Sequence, residues 1–275
     1  MPELPEIETV KLQLEKILIG QKLKDIKILS GKIVRGNLDS VKGKSVKSVK
    51  RMGKVLLIDF GSDLLLGFHF KMTGQLIYED GGKRIVGGHP TEDFVNKMPS
   101  NHTRVIFNFD KGTLYFNDQR LFGWVEINPK FVDKLGPEPF EIDEKKFVEL
   151  VCKRKKPIKL VLMEQDVISG VGNIYANDAC WEAKVNPRRL ANTLTAKQFS
   201  DLYKGMIKVL EEGIKYGGAT AADAKYIDLH GLGGHYQDHF RVYDREGEEC
   251  LRGDGIVHKF VLGGRGTYYC PKCQV

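Results

Sequence analysis

The sequence predicts an α+β protein of several domains: an N-terminal β-sandwich with a helix before it, a helical domain, and a small β-ribbon. Three observations support this prediction. One amphipathic helix precedes a series of short, evenly spaced strand-like runs. Helical periodicity then replaces strand alternation from about residue 133. A short ribbon-like segment with crowded cysteines closes the chain.

The N-terminal segment, MPELPEIETVKLQLEKIL, predicts a helix that begins at Pro5. Proline is favoured in the first helical turn, and Glu6 and Glu8 suit the positive end of the helix dipole. Apolar residues recur at helical spacing, so one face is expected to be buried. These residues are Ile7, Val10, Leu14 and Ile17.

Short apolar runs, separated by glycine and aspartate turns, predict the strands of the sandwich. They lie at residues 25–29, 46–50, 55–60, 64–70, 104–109 and 113–117. Residues 80–101 have no clear period, and the sequence therefore predicts a loop there.

Helical patterns dominate the second part of the chain and cover residues 146–153, 173–183 and, most clearly, 195–216. Residues 217–239 are rich in glycine, alanine and histidine and have no period. We expect a sandwich domain at 1–132, a linker at 133–145, a helical domain at 146–239 and a ribbon at 240–275.

The chain carries a net charge of +7, and its basic residues are clustered. Six basic residues and no acidic one lie between Val41 and Lys54, and residues 153–156 are all basic. Such runs suit a polyanion, because each neutralised phosphate releases condensed counterions. An ordinary solvated lysine surface is the alternative that charge alone leaves open.

The chain shows no signal for a membrane or for secretion. No apolar stretch approaches the roughly 18 residues of a membrane span, and the N-terminus lacks a signal-peptide pattern. We therefore expect a cytoplasmic protein with no membrane partner. Three of its five cysteines lie in the last 26 residues, which in a reducing compartment indicates a metal site rather than disulfides. Cys152 and Cys180 stand alone in predicted helices, where a buried apolar role is expected.

The second residue offers a nucleophile if Met1 is removed, because Pro2 then carries a free secondary amine. An α-amino group titrates near pH 8, so a useful fraction is neutral at about neutral pH. Attack of such an amine on a sugar C1′ gives a charged iminium, which labilises the neighbouring C–H bonds. Glu3 is placed to transfer protons, and Glu6 to hold the N-terminal turn. Proline and glutamate are also ordinary at a helix N-terminus, so these residues alone leave both interpretations open.

Longer motifs recur along nearly the full length of the chain. They are MPELPEIETV, RMGK (51–54), HFKMTG (69–74), NDQRLFG (117–123), Ile158-Lys159, GVGNIYA (170–176), GRGT (264–267) and CPKC (270–273). In this order they resemble the motifs of the family that contains formamidopyrimidine-DNA glycosylase and endonuclease VIII. The family's counterparts are its N-terminus, a loop with a catalytic lysine, two wedge-bearing loops, a helix–two-turns–helix and a zinc finger.

The resemblance implies a DNA glycosylase and AP lyase of base excision repair, with damaged double-stranded DNA held in a cleft between two domains. Pro2 matches the family's nucleophile, and Glu3 matches its first proton donor. Lys54 matches the β-elimination acid. Arg265, at the finger tip, matches the δ-elimination residue and a phosphate clamp.

Six further residues match family positions that contact DNA. Base chemistry requires an extruded nucleotide, and wedge residues fill the place that it leaves. The expected wedge consists of Met72, Arg120 and Phe122. The other expected DNA contacts are His102, Arg154 and Asn173. Core packing for the apolar wedge residues and an ordinary helix cap for Asn173 are the alternative interpretations.

The resemblance also implies one structural Zn²⁺ held by two Cys-x-x-Cys pairs, but Gly253 stands where the first pair should end. The remaining ligands are Cys250, Cys270 and Cys273. Three thiolates do not complete a closed tetrahedral site. Asp254 and His258 are the nearest substitutes, and His258 is the better one chemically. Without zinc, the ribbon would depend on the packing of Tyr268, Tyr269 and Phe260.

The expected lesion is an oxidised purine, 8-oxoguanine or a formamidopyrimidine, because Leu4 favours that branch of the family. Ala221-Ala222-Asp223 lies where 8-oxoguanine-specific members usually have an arginine, so oxidised pyrimidines are the alternative substrate. Non-catalytic binding of damaged DNA is a second alternative, because a Pro2 nitrogen acylated by a retained Met1 cannot attack. We expect a monomer that uses no nucleotide cofactor.

Overall fold

The computed structural model describes residues 1–219 and 233–275, and the chain divides into two compact units. The first comprises Met1–Asp133 and Tyr216–Gln237, and the second comprises Lys134–Lys215 and Asp238–Val275. The lesion-contacting segment expected at residues 221–223 lies outside the described residues. In the described part of the chain, no helix is both long enough and apolar enough to cross a membrane.

In its described residues, the first unit contains one α-helix and two five-stranded sheets. The elements are α1 (Leu4–Leu18), β1 (Leu23–Ile28), β2 (Val34–Arg35), β3 (Ser48–Met52), β4 (Val55–Asp59), β5 (Leu65–His69), β6 (Gly74–Asp80), β7 (Lys83–Gly88), β8 (Thr103–Phe109), β9 (Gly112–Asp118) and β10 (Trp124–Ile127). The strand order is β1-β8-β9-β6-β7 in one sheet and β2-β10-β5-β4-β3 in the other.

The two sheets enclose one apolar core, which confirms the predicted β-sandwich. Phe68 of β5 lies between two rings of the other sheet, 5.5 Å from Phe107 and 5.7 Å from Phe116 between centroids. Leu14 and Ile7 of α1 are buried in the same core.

Helix α1 packs on β3 and β7, an edge strand of each sheet. It begins at Leu4, one residue before the predicted start at Pro5, because Glu3 serves as the N-cap. A Cβ at Gly87 of β7 would lie 1.9 Å from Val10 Cγ2, so glycine is required for this close approach.

The prediction of a loop across residues 80–101 is wrong at β7, which pairs along its length with β6. Strand β7 is half-buried along most of its length. Its sequence therefore lacks the alternation of apolar and polar residues that predicts a strand. Strands β2, β6 and β10 also escaped prediction. The six predicted strands are all present, with ends displaced by one or two residues.

The second unit contains four helices and the ribbon. They are α2 (Glu144–Val151), α3 (Ile158–Leu162), α4 (Asn173–Glu182), α5 (Ala196–Lys215), β11 (His258–Leu262) and β12 (Arg265–Tyr269). Helix α4 packs against α5 and β12. Cys180 lies fully buried in α4, as expected for an apolar role, and burial raises the pKa of its thiol.

Candidate functional site

The predicted nucleophile and proton donor lie at the N-terminus of α1. Pro2 and Glu3 are buried, whereas Met1 is 39% exposed. Glu3 and Glu6 form a capping box, in which the Glu3 N–H donates to Glu6 Oε2 at 2.7 Å. The helix start therefore holds the backbone next to the Pro2 nitrogen in a defined position.

The second carboxylate oxygen of Glu6 accepts the Ala219 N–H at 2.8 Å. Gly218 has a positive φ of 85°, and a Cβ there would lie 2.7 Å from Glu6 Cγ. The Tyr236 N–H donates to the Gly218 carbonyl at 3.0 Å. This hydrogen bond connects the stretch of chain before residues 220–232 to the stretch after them. Glu6 thus connects Ala219, which precedes this segment, to the first turn of α1 next to Pro2.

Lys54 lies in the turn between β3 and β4 and is 6% exposed. The turn is fastened to α1, because Arg51 Nε donates to Glu8 Oε2 at 2.7 Å and Arg51 Nη1 donates to the Gly53 carbonyl at 3.1 Å. Since Arg51 is almost buried, this ion pair is weakly screened by solvent. It ties the loop of the predicted elimination acid to the helix of the predicted nucleophile.

His69 ends β5 beside this basic region. Its Nδ1 accepts the Lys71 N–H at 3.1 Å, which requires an unprotonated nitrogen. Burial, and then the charges of Lys71 and Lys54, lower the pKa of His69 from 6.5 to about 3. His69 therefore remains a neutral acceptor that shapes the turn before Met72.

The pH dependence of the free energy of unfolding should reveal the lowered pKa of His69. Below pH 6.5 the unfolded chain protonates His69 while the folded chain does not, so the free energy of unfolding should fall by about 1.4 kcal/mol per pH unit towards pH 3. His69→Gln is expected to flatten this slope in urea unfolding measured from pH 7 to pH 4.5. The exposed His258→Gln is the control, and an unchanged slope in His69→Gln would refute the assignment.

The predicted wedge residues lie in two neighbouring loops that a buried carboxylate joins. Asp118 is fully buried, and its Oδ1 accepts the Arg120 N–H at 3.1 Å and the Thr73 hydroxyl. Its Oδ2 accepts the Gly123 N–H at 2.7 Å. One side chain therefore holds both the turn after Met72 and the loop of Arg120 and Phe122. Asp118 lay inside a recognised motif, but no local sequence signal indicated this role.

The loop after β9 exposes its two predicted wedge side chains to solvent. Phe122 is 52% exposed, and the Arg120 guanidinium lies 4.6 Å over its ring. The contact between the cation and the ring is attractive, and it leaves both side chains accessible to a partner. Met72 is half-buried on the adjoining turn.

Asp118→Asn should disorder this arrangement, because an amide offers one acceptor oxygen where the carboxylate offers two. Leaving one N–H unsatisfied costs about 1–3 kcal/mol of stability. For the glycosylase activity that the sequence resemblance implies, we expect excision of a damaged base to fall at least about tenfold, with a smaller loss on a ready-made abasic duplex. Single-turnover assays on both substrates measure this. Asp110→Asn, in the exposed β8–β9 turn, is the control, and equal losses on both substrates would contradict a wedge-specific role.

His102 precedes β8 and is oriented by a buried carboxylate. Its Nδ1 lies 2.8 Å from Asp93 Oδ2, and Asp93 is 5% exposed. The Asp118 N–H donates to the His102 carbonyl at 2.9 Å, which connects this residue to the wedge loops. The imidazole is partly exposed, as a DNA contact requires.

In the second unit, a fully buried lysine joins the predicted phosphate-binding helix to the ribbon. Lys159 Nζ donates to Asn173 Oδ1 at 2.6 Å, to Thr267 Oγ1 at 2.7 Å and to the Gly266 carbonyl at 3.2 Å. Asn173 Nδ2 also donates to the Gly266 carbonyl, at 3.1 Å. The Asn173 side chain is therefore engaged with β12, directly after the exposed Arg265. Lys159 stood in a recognised motif without an assigned role.

Lys159→Met should loosen this junction, because it removes the buried cation and with it one donor from each of three acceptors, of which Thr267 is fully buried. We expect a loss of about 3 kcal/mol in unfolding free energy, together with weaker DNA binding. Urea denaturation and a binding titration measure the two effects. Lys155→Met, an exposed change in the nearby basic run at residues 153–156, should alter only DNA affinity. Equal stability of the two variants would refute the structural role of Lys159.

Arg154 lies in the basic run and is partly exposed. Its Nη1 is 3.5 Å from Glu164 Oε2, and Lys156 Nζ pairs with the other oxygen of the same carboxylate. One acidic residue thus offsets part of the charge of this run. The ion pair between Arg154 and Glu164 is weak because it is partly exposed to solvent. Arg154 can therefore leave Glu164 and bind a phosphate at little cost in free energy.

The three predicted metal ligands are brought together. Cys250, Cys270 and Cys273 have sulfur atoms within 4.8 Å of one another. Three thiolates at this spacing suit a thiophilic divalent ion such as Zn²⁺. In the described residues, neither Asp254 nor His258 belongs to this group. His258 lies exposed on β11, with its ring 6.3 Å from that of Tyr269.

Comparisons with known proteins agree along the whole chain. Family models match residues 1–125 (formamidopyrimidine-DNA glycosylase N-terminal domain), 135–225 (its H2TH domain) and 247–275 (a zinc finger found in FPG and IleRS). The formamidopyrimidine-DNA glycosylase of Pelotomaculum thermopropionicum is 39% identical over 290 residues, with 100% of this chain and 99% of that protein covered.

Two solved structures show the same fold with DNA bound. Lactococcus lactis Fpg with abasic-site DNA has a TM-score of 0.84 and 33% identity, with 99% of each chain covered. The wild-type Lactococcus lactis protein with N7-benzyl-Fapy-dG DNA has a TM-score of 0.84 and 32% identity at the same coverage. The α+β fold, with its sandwich, H2TH and finger parts, is thereby confirmed. The chain belongs to the formamidopyrimidine-DNA glycosylase family.

Proposed function

We propose that the protein is a DNA glycosylase and AP lyase of base excision repair that excises oxidised purines from duplex DNA. The observation that carries the proposal is the placement of Pro2 and Glu3, buried together at the capped start of α1. Family membership supplies the class of reaction. Damaged DNA as substrate is supported by the two Lactococcus lactis complexes.

The chemistry starts at the imino nitrogen of Pro2, freed by removal of Met1. The nitrogen attacks C1′ of the lesion nucleotide as the bond to the base breaks, and the proton that the attacking nitrogen loses neutralises the departing base. Glu3 then donates a proton to the sugar ring oxygen, and the C1′–O4′ bond opens to give an iminium. The resulting iminium carries a positive charge and acidifies the C2′ protons. Loss of one C2′ proton expels the 3′ phosphate, and a second elimination then expels the 5′ phosphate.

Lys54 and Arg265 are the proposed residues for these eliminations. Lys54 is supported by its place in a buried turn that Arg51 fastens to α1. Arg265 is supported by its exposure at the ribbon tip, where Gly263 and Gly264 both have positive φ and form the turn. A cation at each position can hold a phosphate as it becomes a leaving group.

The extruded nucleotide leaves a gap that Met72, Arg120 and Phe122 are proposed to fill. Their support is the shared Asp118 anchor and the exposure of the Phe122 ring. An apolar ring replaces the lost stacking, and the Arg120 guanidinium can hydrogen-bond the orphaned base. His102, Arg154 and Asn173 are proposed to hold the DNA backbone, the last at the N-terminus of α4.

Borohydride trapping on lesion-bearing duplexes tests the proposal. We expect a covalent protein–DNA adduct and base release with 8-oxoguanine opposite cytosine and with a formamidopyrimidine. A duplex with thymine glycol should react more slowly. Faster reaction with thymine glycol would assign the enzyme to oxidised pyrimidines. Tight binding without any adduct would leave a damage-binding protein with no glycosylase activity.

A further inference from the structure

The three cysteines of the finger are spaced for a metal ion rather than for a disulfide. The Cys250 and Cys273 sulfurs are 3.8 Å apart. Two thiolates at tetrahedral angles on one ion, each at about 2.3 Å, are separated by about 3.8 Å. A disulfide would require about 2.05 Å.

The place of a fourth thiolate is taken by glycine. Gly253 has a positive φ of 70°, and a Cβ built on it meets no atom within 4 Å. Among residues 1–219 and 233–275, the metal-binding group contains the three cysteines and no fourth ligand. The finger therefore lacks the side chain that would close the coordination shell.

Two N–H groups donate hydrogen bonds to the cysteine sulfurs, although no fourth metal ligand is present among the described residues. Arg252 Nη1 donates to Cys273 Sγ at 3.4 Å, and Trp181 Nε1 donates to Cys250 Sγ at 3.3 Å. The guanidinium stacks on the indole at 3.6 Å and is locked by the carbonyls of Trp181 and Glu182. Both donors are thus rigidly aimed at the cluster.

We propose that the finger binds one divalent ion through three thiolates and leaves the fourth coordination position to an exchangeable external ligand, such as water. Three thiolates and a divalent ion carry one net negative charge, which Arg252 neutralises. A guanidinium cannot ligate a cation, so Arg252 balances the charge of the site without closing it. Cys273 is partly buried, whereas Cys250 and Cys270 are buried.

Cobalt substitution tests this coordination independently of glycosylase activity. Metal-free full-length protein is titrated with Co²⁺ and then with imidazole, and the visible spectrum is recorded. We expect one cobalt per chain and a ligand-field shift on addition of imidazole. Gly253→Cys is the matched variant. It should lose the imidazole response and raise the thiolate charge-transfer intensity by about one third, as a fourth sulfur closes the site.

Further variants separate the roles of neighbouring groups. Arg252→Gln should weaken cobalt affinity by about tenfold, as for other residues that support metal ligands. Lys272→Gln removes a nearby exposed charge and should change the affinity less than about twofold. Asp254→Asn and His258→Gln should leave the cobalt spectrum unchanged.

Several results would overturn the proposal. They are absence of cobalt uptake, a wild-type spectrum insensitive to imidazole, or a changed spectrum in Asp254→Asn or His258→Gln. Because the positive φ of Gly253 strains a cysteine there, X-ray absorption of the zinc-loaded wild type provides a second, independent measurement. Three sulfur neighbours and one lighter atom are expected, and four sulfurs would refute the open site.

Discussion

Protein that retains Met1 is expected to form no borohydride-trapped adduct with an abasic duplex, a loss of at least about a thousandfold. With Met1 attached, the Pro2 nitrogen is part of an amide, and its lone pair is no longer available for attack. The structure contains Met1 at 39% exposure with Pro2 buried behind it, so the extra residue is compatible with the fold. The loss of adduct formation should therefore result from the blocked Pro2 nitrogen rather than from a change in the fold.

The matched control is the same preparation after treatment with a methionine aminopeptidase. Intact mass reports the removal of one methionine, and trapping should return in proportion to the processed fraction. Affinity for an uncleaved abasic duplex should stay within about twofold, because phosphate contacts supply most of the binding energy. An adduct of undiminished yield from the Met1-retaining chain would move the nucleophile to a lysine side chain.

Glu3→Gln should lower the single-turnover rate of base excision by about a hundredfold or more. Glutamine keeps an oxygen that can accept the Glu6 N–H, so the capping box and the fold are preserved. The amide has no acidic proton to give to the sugar ring oxygen, and this loss acts on the transition state. Duplex affinity and the urea midpoint should both remain close to wild type.

Glu15→Gln is the control for this substitution, because it changes a partly exposed carboxylate on the same helix. It should leave excision, binding and stability unchanged. A Glu3→Gln rate within about threefold of wild type would remove Glu3 from the proton-transfer step. A parallel fall in stability would instead indicate that its main role is to cap α1.

Local patterns were sufficient for the elements with clear periodicity. The predicted stripe of α1 is buried at Ile7, Val10 and Leu14, because helical spacing places these residues on one face. Strand β7 escaped prediction because pairing with β6 and cover from α1 create it, while its own residues are half-exposed and end in two glycines. Its existence depends on neighbours that no local window contains.

The sequence by itself determined which residue types the site contains, since Pro2, Glu3 and the three cysteines are recognisable by their motifs. Tertiary structure decided how these residues are supported. Lys159 meets Thr267 across 108 positions, and Asp118 meets Thr73 across 45. Such contacts form only after burial lowers the local dielectric and orients each donor. They join side chains that are far apart in the sequence and belong to no sequence motif in common. Only the folded structure therefore shows these contacts.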